Sequence, residues 1–342
     1  MAAAPTTLRN LYTCTGHKGD VNDVAVTDDG KFIVSASNDH TARVWDAGNG
    51  ELVRTLTGHT DWVWAVVVFR SASAGNASLY TIASGSIDGT IKLWNLQTGE
   101  LNASVDARGS VTSLAVWPDG SRLVAGHGDS IDMENQWAVT MWSLQANGKG
   151  AQLQHVFKGH TSSVWSVAVR GDLIVSGSDD NTVKVWSVSQ NQVKHTLTGH
   201  TDSVYGVALH GDTVISASWD CTWRLWDVDS GQLKATHQVD STHDGLTSLA
   251  VTGNRVVLGA GSGAILVCSL STGKLLQEVP NAHSYWVRGL AIHGSTVVSA
   301  SSDKTVKAWK VRVCWGLCFC VFLVCEPCVW KKNRAGAKAE SA

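Results

Sequence analysis

The stretch VSGSDDNTVKVW, at residues 175–186, is one of five closely similar twelve-residue segments in this chain. The other four are VSASNDHTARVW (34–45), ASGSIDGTIKLW (83–94), ISASWDCTWRLW (215–226) and VSASSDKTVKAW (298–309). Self-similarity at a spacing of tens of residues indicates one supersecondary unit repeated along the chain. The sequence therefore predicts a single repeat domain, although 342 residues could hold two average domains.

Each segment places the same polar residues at the same distances. An aspartate stands six residues before the last tryptophan, with serines two and four residues before that aspartate and a histidine 20–29 residues before it. Two further units are degenerate. The third keeps Trp142 but has Gln136 in place of Asp, and the sixth keeps His243 but has Ser262 and Cys268 in place of Asp and Trp. We therefore count seven units and expect the two degenerate ones to be the least firmly held. The third also carries an insertion, HGDSIDMENQW (127–137), which is polar and acidic enough to predict a surface loop.

The pattern inside a unit is that of short β-strands. Segments such as LIVSGS (173–178) and VKVWSV (183–188) are rich in Val and Ile and are bounded by turn residues. The fragments RGDL (170–173) and HGDT (210–213) predict two-residue hairpins with glycine first in the turn, as type II′ geometry requires. Each unit has room for four strands.

The order Gly-His, then Asp, then Trp-Asp, as in Trp45-Asp46 and Trp226-Asp227, resembles the WD-repeat β-propeller family. The resemblance covers residues 8–311 and implies an all-β, seven-bladed propeller of four-stranded antiparallel blades. Because NLYTCT (10–15) precedes the first Gly-His as LVRTLT (52–57) precedes the second, the N-terminal strand should close the last blade. Residues 1–7 would then be an extension, and residues 312–342 a tail outside the propeller.

Ser, His and Asp together suggest a catalytic triad, but an enzyme needs one active site and this constellation occurs five times. The family resemblance implies a structural role instead: a buried hydrogen-bonded chain that links the inner strands of a blade to the turn above them. A buried polar group without a partner costs about 1–3 kcal/mol, so such a chain would stabilise each blade. The predicted network residues are His17, Asp39, Trp45, His59, Asp88, Trp94, His160, Asp180, Trp186, His200, Asp220, Trp226, His283, Asp303 and Trp309.

The resemblance also implies a binding face, which we call the top face, made by the loops that carry Gly-His and the Asp turn. Three positions per repeat reach it. The ones that we expect to bind a partner are Asp20, Trp62, Trp64, Trp165, Asp179, Tyr205, Trp219, Trp286 and Arg288. The others are Asn22, Asn38, Ile87, Ser110, Thr112, Asn135, Ser163, Ser203, Gly245, Thr247, Gly261 and Ser302. Clustered Trp and Tyr favour a protein interface, and a single arginine argues against phosphate recognition.

We therefore predict a non-enzymatic scaffold that binds partner proteins or peptides on the top face, with no cofactor, metal or nucleic acid. A peptide with apolar and cationic side chains would suit these positions through burial and cation–π contact. The propeller would be a monomer within larger assemblies. An alternative is the substrate-receptor subunit of a ubiquitin ligase acting through a separate adaptor, because residues 171–186 resemble those propellers. A propeller hydrolase would need one asymmetric acidic or metal-binding cluster in the central channel, and the sequence shows none.

Composition limits the remaining options. The net charge is −2, without a long run of Lys or Arg, which argues against nucleic acid as a partner. The first ten residues, MAAAPTTLRN, lack the apolar region of a secretory signal, and the scattered Cys14, Cys221 and Cys268 are typical of a reduced compartment. These features predict an intracellular protein, cytoplasmic or nuclear.

The tail after Lys310 breaks the repeat. Its apolar run, Val313 to Cys325, has 13 residues, against the roughly 20 that a membrane-spanning helix needs. Three interpretations remain open: a segment with no evolved function, a membrane-associating or lipidated tail that uses its cysteines with Lys331 and Lys332, or a metal site around Cys325 and Cys328.

Overall fold

The computed structural model describes residues 8–70, 80–128, 137–145 and 148–311. Within these residues, 28 strands form seven four-stranded antiparallel sheets. The predicted all-β, seven-bladed architecture is thereby confirmed. The expectations for residues 1–7, for most of the insertion at 127–137 and for the tail at 312–342 lie outside the described residues and stay predictions.

Each blade runs from an inner to an outer strand. The first three blades are β2 Val21–Val26, β3 Phe32–Ser37, β4 Thr41–Asp46 and β5 Leu52–Thr57; β6 Val63–Arg70, β7 Tyr80–Ser86, β8 Thr90–Asn95 and β9 Leu101–Asp106; and β10 Val111–Val116, β11 Arg122–His127, β12 Trp137–Leu144 and β13 Ala151–His160. Blades four and five are β14 Val164–Arg170, β15 Leu173–Ser178, β16 Val183–Ser187 and β17 Gln192–Leu197; and β18 Val204–His210, β19 Thr213–Ser218, β20 Thr222–Asp227 and β21 Leu233–Gln238. Blades six and seven are β22 Leu246–Thr252, β23 Arg255–Ala260, β24 Ile265–Ser269 and β25 Leu275–Val279; and β26 Val287–His293, β27 Thr296–Ser301, β28 Val306–Lys310 and β1 Arg9–Cys14. A short 3-10 helix, Ser241–His243, precedes β22.

Both predicted two-residue hairpins are present. Arg170 pairs with Leu173, and His210 pairs with Thr213. The intervening Gly171 and Gly211 have φ angles of 56° and 55°, a left-handed conformation that a residue with a Cβ adopts only at a cost. Glycine at the first turn position therefore fixes the strand register in blades four and five.

Burial follows strand position within a blade. The second strands are buried almost throughout, as in β7, because neighbouring blades cover both of their faces. The outer strands alternate between exposed and partly buried residues, as in β21, because they lie at the rim. The β-branched residues of the second strands thus face other blades rather than solvent.

The core consists of seven apolar clusters, one between each pair of neighbouring blades. One of them joins Val298 of blade seven to Trp45 of blade one, so the series of blades returns to its start. The inner strands contact each other in the same cyclic order, including β26 with β2. The described sheets therefore form a closed ring.

The N-terminal strand completes blade seven, as the sequence predicts. β1 pairs antiparallel with β28, with Thr13 opposite Lys307 and Cys14 opposite Val306. Cys14 is buried in the cluster between blades seven and one. Closure by the first strand covers the edge of β28, which would otherwise present unpaired backbone groups.

Candidate functional site

The predicted polar network is present in all five regular blades, and blade four shows its geometry. The Nδ1 of His160 lies 2.6 Å from the Oδ2 of Asp180, and its Nε2 lies 2.7 Å from the Oγ of Ser176. The indole N–H of Trp186 donates to the same Oγ at 2.9 Å. With Nδ1–H donating to the carboxylate, Nε2 accepts from the serine hydroxyl, so every member of the chain is satisfied.

The other four regular blades repeat these distances closely. The His–Asp, His–Ser and Trp–Ser separations stay within 2.6–2.9 Å in blades one, two, five and seven. A threonine hydroxyl donates at 2.6 Å to the second oxygen of each aspartate, as Thr182 does to Asp180. In each regular blade the network thus joins the second and third strands to the segment before the inner strand and to the Asp turn on the top face.

Burial and hydrogen bonding set the protonation of this network. Burial lowers the pKa of His17, His59, His160 and His283 from 6.5, and the partner aspartates only partly oppose it. Burial alone would raise the pKa of Asp180, but hydrogen bonds from His160 and Thr182 outweigh it and lower that pKa. In blade two the pKa of Asp88 falls to about 2 for the same reasons. At neutral pH, His160 is therefore a neutral imidazole beside the ionised carboxylate of Asp180.

The sequence predicts an incomplete network in blade three, but the structure shows a network with different members. Ala125 stands where the regular blades have their first serine, and His127, expected in an inserted loop, instead ends β11 and is fully buried. Its Nε2 lies 2.8 Å from the Oγ1 of Thr140, which also accepts from the indole N–H of Trp142 at 2.9 Å. Blade three therefore connects a histidine to a tryptophan through a threonine on its third strand.

Blade six lacks the chain of side-chain bonds. Leu258 and Cys268 occupy the register positions of the serine and the tryptophan. His243 is buried and contacts the turn through its backbone oxygen, which accepts from the N–H of Ser262 at 2.9 Å. Its Nε2 lies 4.0 Å from the Oε1 of Glu278, beyond a hydrogen bond. The predicted deficiency of this blade is a property of the structure.

Five of the six predicted aromatic side chains meet in one ring around the top of the channel, which Arg288 closes. We call this set the aromatic collar: Trp64, Trp165, Tyr205, Trp219, Trp286 and Arg288. Successive ring centroids lie 5.2, 5.7, 5.9 and 4.6 Å apart, from Trp64 round to Trp286. The Cζ of Arg288 lies 5.0 Å from the Trp286 ring and 5.4 Å from the Trp64 ring. These are distances of favourable aromatic and cation–π contact.

The two degenerate blades make the collar possible because they contribute small residues. Blade three places the buried Thr112 between Trp64 and Trp165, so the two indoles meet across it. Blade six contributes Gly245, where an added Cβ would lie 2.6 Å from the Trp219 ring. A larger side chain at either position would separate neighbouring aromatic residues.

Arg288 is the positive member of the collar and is held within it. Its Nε donates to the Oγ of Ser302 at 2.7 Å, and its Nη2 lies 4.0 Å from the Oδ2 of Asp20. Burial lowers the pKa of Arg288, an effect that the charge of Asp20 partly opposes. The indole N–H groups of Trp64 and Trp165 are buried without an acceptor. The collar therefore contains two buried donors without an acceptor among the described residues.

The remaining predicted residues surround the collar. Trp62 is 46% exposed and lies outside it, and Asp20 and Asp179 are partly buried. Sequence reasoning missed Tyr285, which at 63% is the most exposed large apolar or aromatic side chain among the described residues. It directly precedes Trp286 in a loop, where no strand alternation predicts exposure. Asn22, Ser110, Thr112 and Thr247, also assigned to this face, are buried in the interior.

A cavity of about 130 Å³ lies at the collar, lined by collar residues such as Trp64 and Arg288 and by other residues of the inner strands. Asp23 is the one carboxylate among the described residues that line it, and burial raises its pKa to about 7, against hydrogen bonds from the backbone N–H groups of Val66 and Val24. No group of three or more His, Cys, Asp or Glu side chains among the described residues could hold a metal ion. Cys14, Cys221 and Cys268 carry free thiols.

A closed ring of seven four-stranded blades, braced by a repeated His–Asp–Ser–Trp network, defines a β-propeller. The family model for the WD domain, G-beta repeat, matches residues 8–46, 50–95, 151–187, 191–227 and 273–310. The chain therefore belongs to the WD-repeat family. The largest stretches that the model leaves unmatched within the propeller contain the inner strands of blades three and six, the two degenerate units.

Several curated proteins are similar to this chain. Autophagy-related protein 16 of Arabidopsis thaliana is 28% identical over 229 residues, which is 55% of this chain and 42% of that protein. Eukaryotic translation initiation factor 3 subunit I of Debaryomyces hansenii is 29% identical over 187 residues, 52% of this chain and 50% of that protein. The U3 small nucleolar RNA-associated protein 15 homolog of Xenopus tropicalis is 32% identical over 185 residues, 54% of this chain and 33% of that protein.

The chain thus aligns with half or less of the length of each of these relatives. Their names refer to different cellular processes, so the similarity shows a shared repeat rather than a shared partner. In the described part of the chain, no helix is long and apolar enough to cross a membrane.

Proposed function

We propose that this propeller is a non-enzymatic scaffold that binds partner proteins or peptides on its top face. The observation that carries the proposal is the aromatic collar, in which five aromatic rings and Arg288 surround the channel mouth. Large aromatic residues and arginine dominate protein interfaces because they bury much area with few rotatable bonds. WD-repeat propellers typically mediate protein interactions, and the names of two relatives place them in multisubunit or RNA-associated contexts.

The collar limits the chemistry of the partner. Because Arg288 stacks on Trp64 and Trp286, those two rings already have a cation. A cationic side chain of a partner would instead sit on the side of Tyr205. There burial raises the tyrosine pKa, and the negative charge of Asp179 raises it further. We therefore propose a peptide with apolar residues over the tryptophans and a Lys or Arg beside Asp179.

The principal test removes the rings. Trp64→Ala, Trp165→Ala and Trp219→Ala in one variant should abolish capture of the partners that the wild-type chain recovers from a lysate of its source organism. A matched control changes three exposed outer-strand residues far from the channel, Leu52, Leu101 and Leu233, to alanine. Thermal unfolding followed by circular dichroism verifies that each variant is folded. Capture by the collar variant at the wild-type level would refute the proposal.

The second test addresses charge. Asp179→Asn should weaken capture of a cationic partner by about five- to ten-fold, since one partly buried ion pair contributes about 1 kcal/mol or more. Recovery of an adaptor subunit among the captured proteins would favour the alternative of a ubiquitin-ligase substrate receptor. Turnover of a hydrolase substrate panel would favour an enzyme and contradict the scaffold.

The proposal extends to the state of the chain in the cell. We propose a monomeric propeller within a larger intracellular assembly, in the cytoplasm or the nucleus. The free, buried thiols of Cys14 and Cys268 support a reducing compartment, because disulfides persist in oxidising ones. Sedimentation of the purified chain should give the mass of one copy.

A further inference from the structure

The third strand of blade six lacks two side chains that every regular blade has at the same register. Trp186 pairs with Ile174 and Val193, and Cys268 pairs in the same way with Val256 and Leu275. Cys268 therefore stands where the regular blades place an indole. The shorter side chain cannot fill that volume.

The second missing side chain is a cation. Two residues before their tryptophans, the regular blades carry Arg43, Lys92, Lys184, Arg224 and Lys307. The ammonium of Lys184 donates to the Oγ1 of Thr196 on the outer strand at 3.0 Å, and Lys92 contacts Ser104 in the same way at 2.8 Å. In blade six the corresponding residue is Leu266, so the basic group is absent.

On its outer strand, blade six has an acidic residue where the regular blades have a neutral hydroxyl residue. Leu266 pairs with Glu278 as Lys184 pairs with Thr196, so a carboxylate stands where the regular blades have a hydroxyl. The Oε1 of Glu278 lies 4.0 Å from the Nε2 of His243, its only ionic neighbour among the described residues. Blade six thus has a negative charge opposite the position of a missing positive one.

A cavity lies at this place, between blades five and six. Its volume is about 260 Å³, slightly below the roughly 300–1,000 Å³ of pockets for drug-sized ligands, so it suits one fused ring system. Trp223, Leu266, Cys268 and Val239 line it with apolar or weakly polar surface. Its polar lining consists of Gln238, Asp240, His243 and Glu278, of which Glu278 faces the register position of the missing cation. No Lys or Arg is among the described residues that line it.

We propose that this cavity binds a small aromatic amine, with the flat ring in the volume of the missing indole and the ammonium against Glu278. The ligand would replace both side chains that the repeat has lost. Burial of the ring would provide most of the binding free energy, and the ion pair would select cations over anions. The cavity shares no residue with the aromatic collar, so the site is independent of the proposed function.

Tryptamine is a suitable probe because it combines an indole with an ammonium group, and indole-3-acetate is its matched anion. Ligand-observed NMR and calorimetry with the full chain should show saturable binding of tryptamine. Binding of indole-3-acetate should be about ten-fold weaker or more, the equivalent of about 1.4 kcal/mol for one reversed charge contact. Equal affinities for the two probes, or no saturable binding of tryptamine at millimolar concentration, would overturn the proposal.

Three variants locate the site. Cys268→Trp fills the cavity with the indole of the regular blades, and Leu266→Lys restores their cation opposite Glu278; each should lower tryptamine affinity about ten-fold or more. Glu278→Gln should lower it about five-fold, while Glu100→Gln, at an exposed carboxylate outside the cavity, should leave it unchanged. If either core variant unfolds, the two surface variants decide the matter. Unchanged affinity in a folded Cys268→Trp or in Glu278→Gln would refute the site.

Discussion

Blades four and six share the same strand order, the same antiparallel pairing and a two-residue turn between their first two strands, yet differ in the side chains inside them. Blade four links His160, Asp180, Ser176 and Trp186 by bonds of 2.6–2.9 Å, whereas blade six has Leu258 and Cys268 at the serine and tryptophan positions. Both blades nevertheless pack on their neighbours through continuous apolar clusters. Strand register and interblade packing therefore determine the fold, and the polar network adds stability to the blades that have it.

Blade three shows that the network can change its members and keep its connection. A histidine on the second strand and Thr140 on the third replace the upstream histidine and the serine, and Trp142 keeps its donor bond. The buried indole N–H requires an acceptor, which explains why a hydroxyl is present wherever the tryptophan is present. Blade six, without the tryptophan, carries no such hydroxyl.

The prediction with the largest expected effect tests whether strand pairing contributes more to the free energy of unfolding than the polar network does. Blade seven has a complete network but obtains its outer strand from the N-terminus. Deletion of residues 1–15 removes β1 and should destabilise the chain by more than about 5 kcal/mol, beyond the range of single substitutions, with aggregation through the exposed edge of β28. Urea unfolding and light scattering measure both effects.

A deletion of residues 1–7 is the control, since it leaves β1 in place. Unchanged melting and solubility after removal of residues 1–15 would show that β1 does not close the ring.

The second prediction compares matched histidines. His160→Ala removes the acceptor of the buried Ser176 hydroxyl and one of the donors to Asp180, and should lower the free energy of unfolding by about 2–4 kcal/mol. His243→Ala removes a buried ring whose one ionic neighbour among the described residues, Glu278, lies 4.0 Å away, and should cost less than about 1.5 kcal/mol. Urea denaturation of both variants gives the difference. Equal losses would mean that the network adds nothing to packing.

The third prediction concerns pH and is the smallest in size. The pKa values of His17, His59, His160 and His283 are below 6.5 in the fold, so below that pH the unfolded chain binds protons that the folded chain does not, and stability falls as the pH decreases. Lowered aspartate pKa values add to this loss below about pH 3.8. Asp23 has the opposite effect. Its pKa is about 7 in the fold and 3.8 in the unfolded chain, so between these values the folded chain binds the extra proton and stability rises as the pH falls.

Melting temperature should therefore decrease between pH 7 and pH 5, and more steeply in Asp23→Asn, which removes the opposing group. A constant or rising melting temperature across this range would contradict the assigned protonation states of the network.

The fold could be predicted from the sequence because each regular unit carries its own complete signal. Asp180 and Trp186 recur at a fixed spacing, and a strand register follows once the hairpin glycine Gly171 is in place. The closure by β1 was also visible, as a strand-like segment ahead of the first Gly-His. The same pattern occurs five times in this chain, so each occurrence supports the interpretation of the others, and a non-repetitive fold lacks this support.

The candidate site was only partly accessible to sequence reasoning. Strand alternation identified the collar residues, but their contacts depend on what the neighbouring blades leave open, such as Thr112 and Gly245. The insertion of Arg288 between two indoles is likewise a tertiary contact with no local signal. The polar and acidic segment that begins at His127 predicts a loop, and the contact of His127 with Thr140 has no sequence signal because the regular blades have a basic residue at the position of Thr140. Tyr285 lies in a loop, where period-two patterning says nothing.

Hydrogen exchange followed by mass spectrometry compares blades four and six within one molecule and so tests the role of the network most directly. Amides in the third and outer strands of blade six, residues 265–279, should exchange about ten-fold faster or more than those at 183–197 in blade four, because local opening breaks fewer buried bonds there. Equal protection of the two segments would contradict the account.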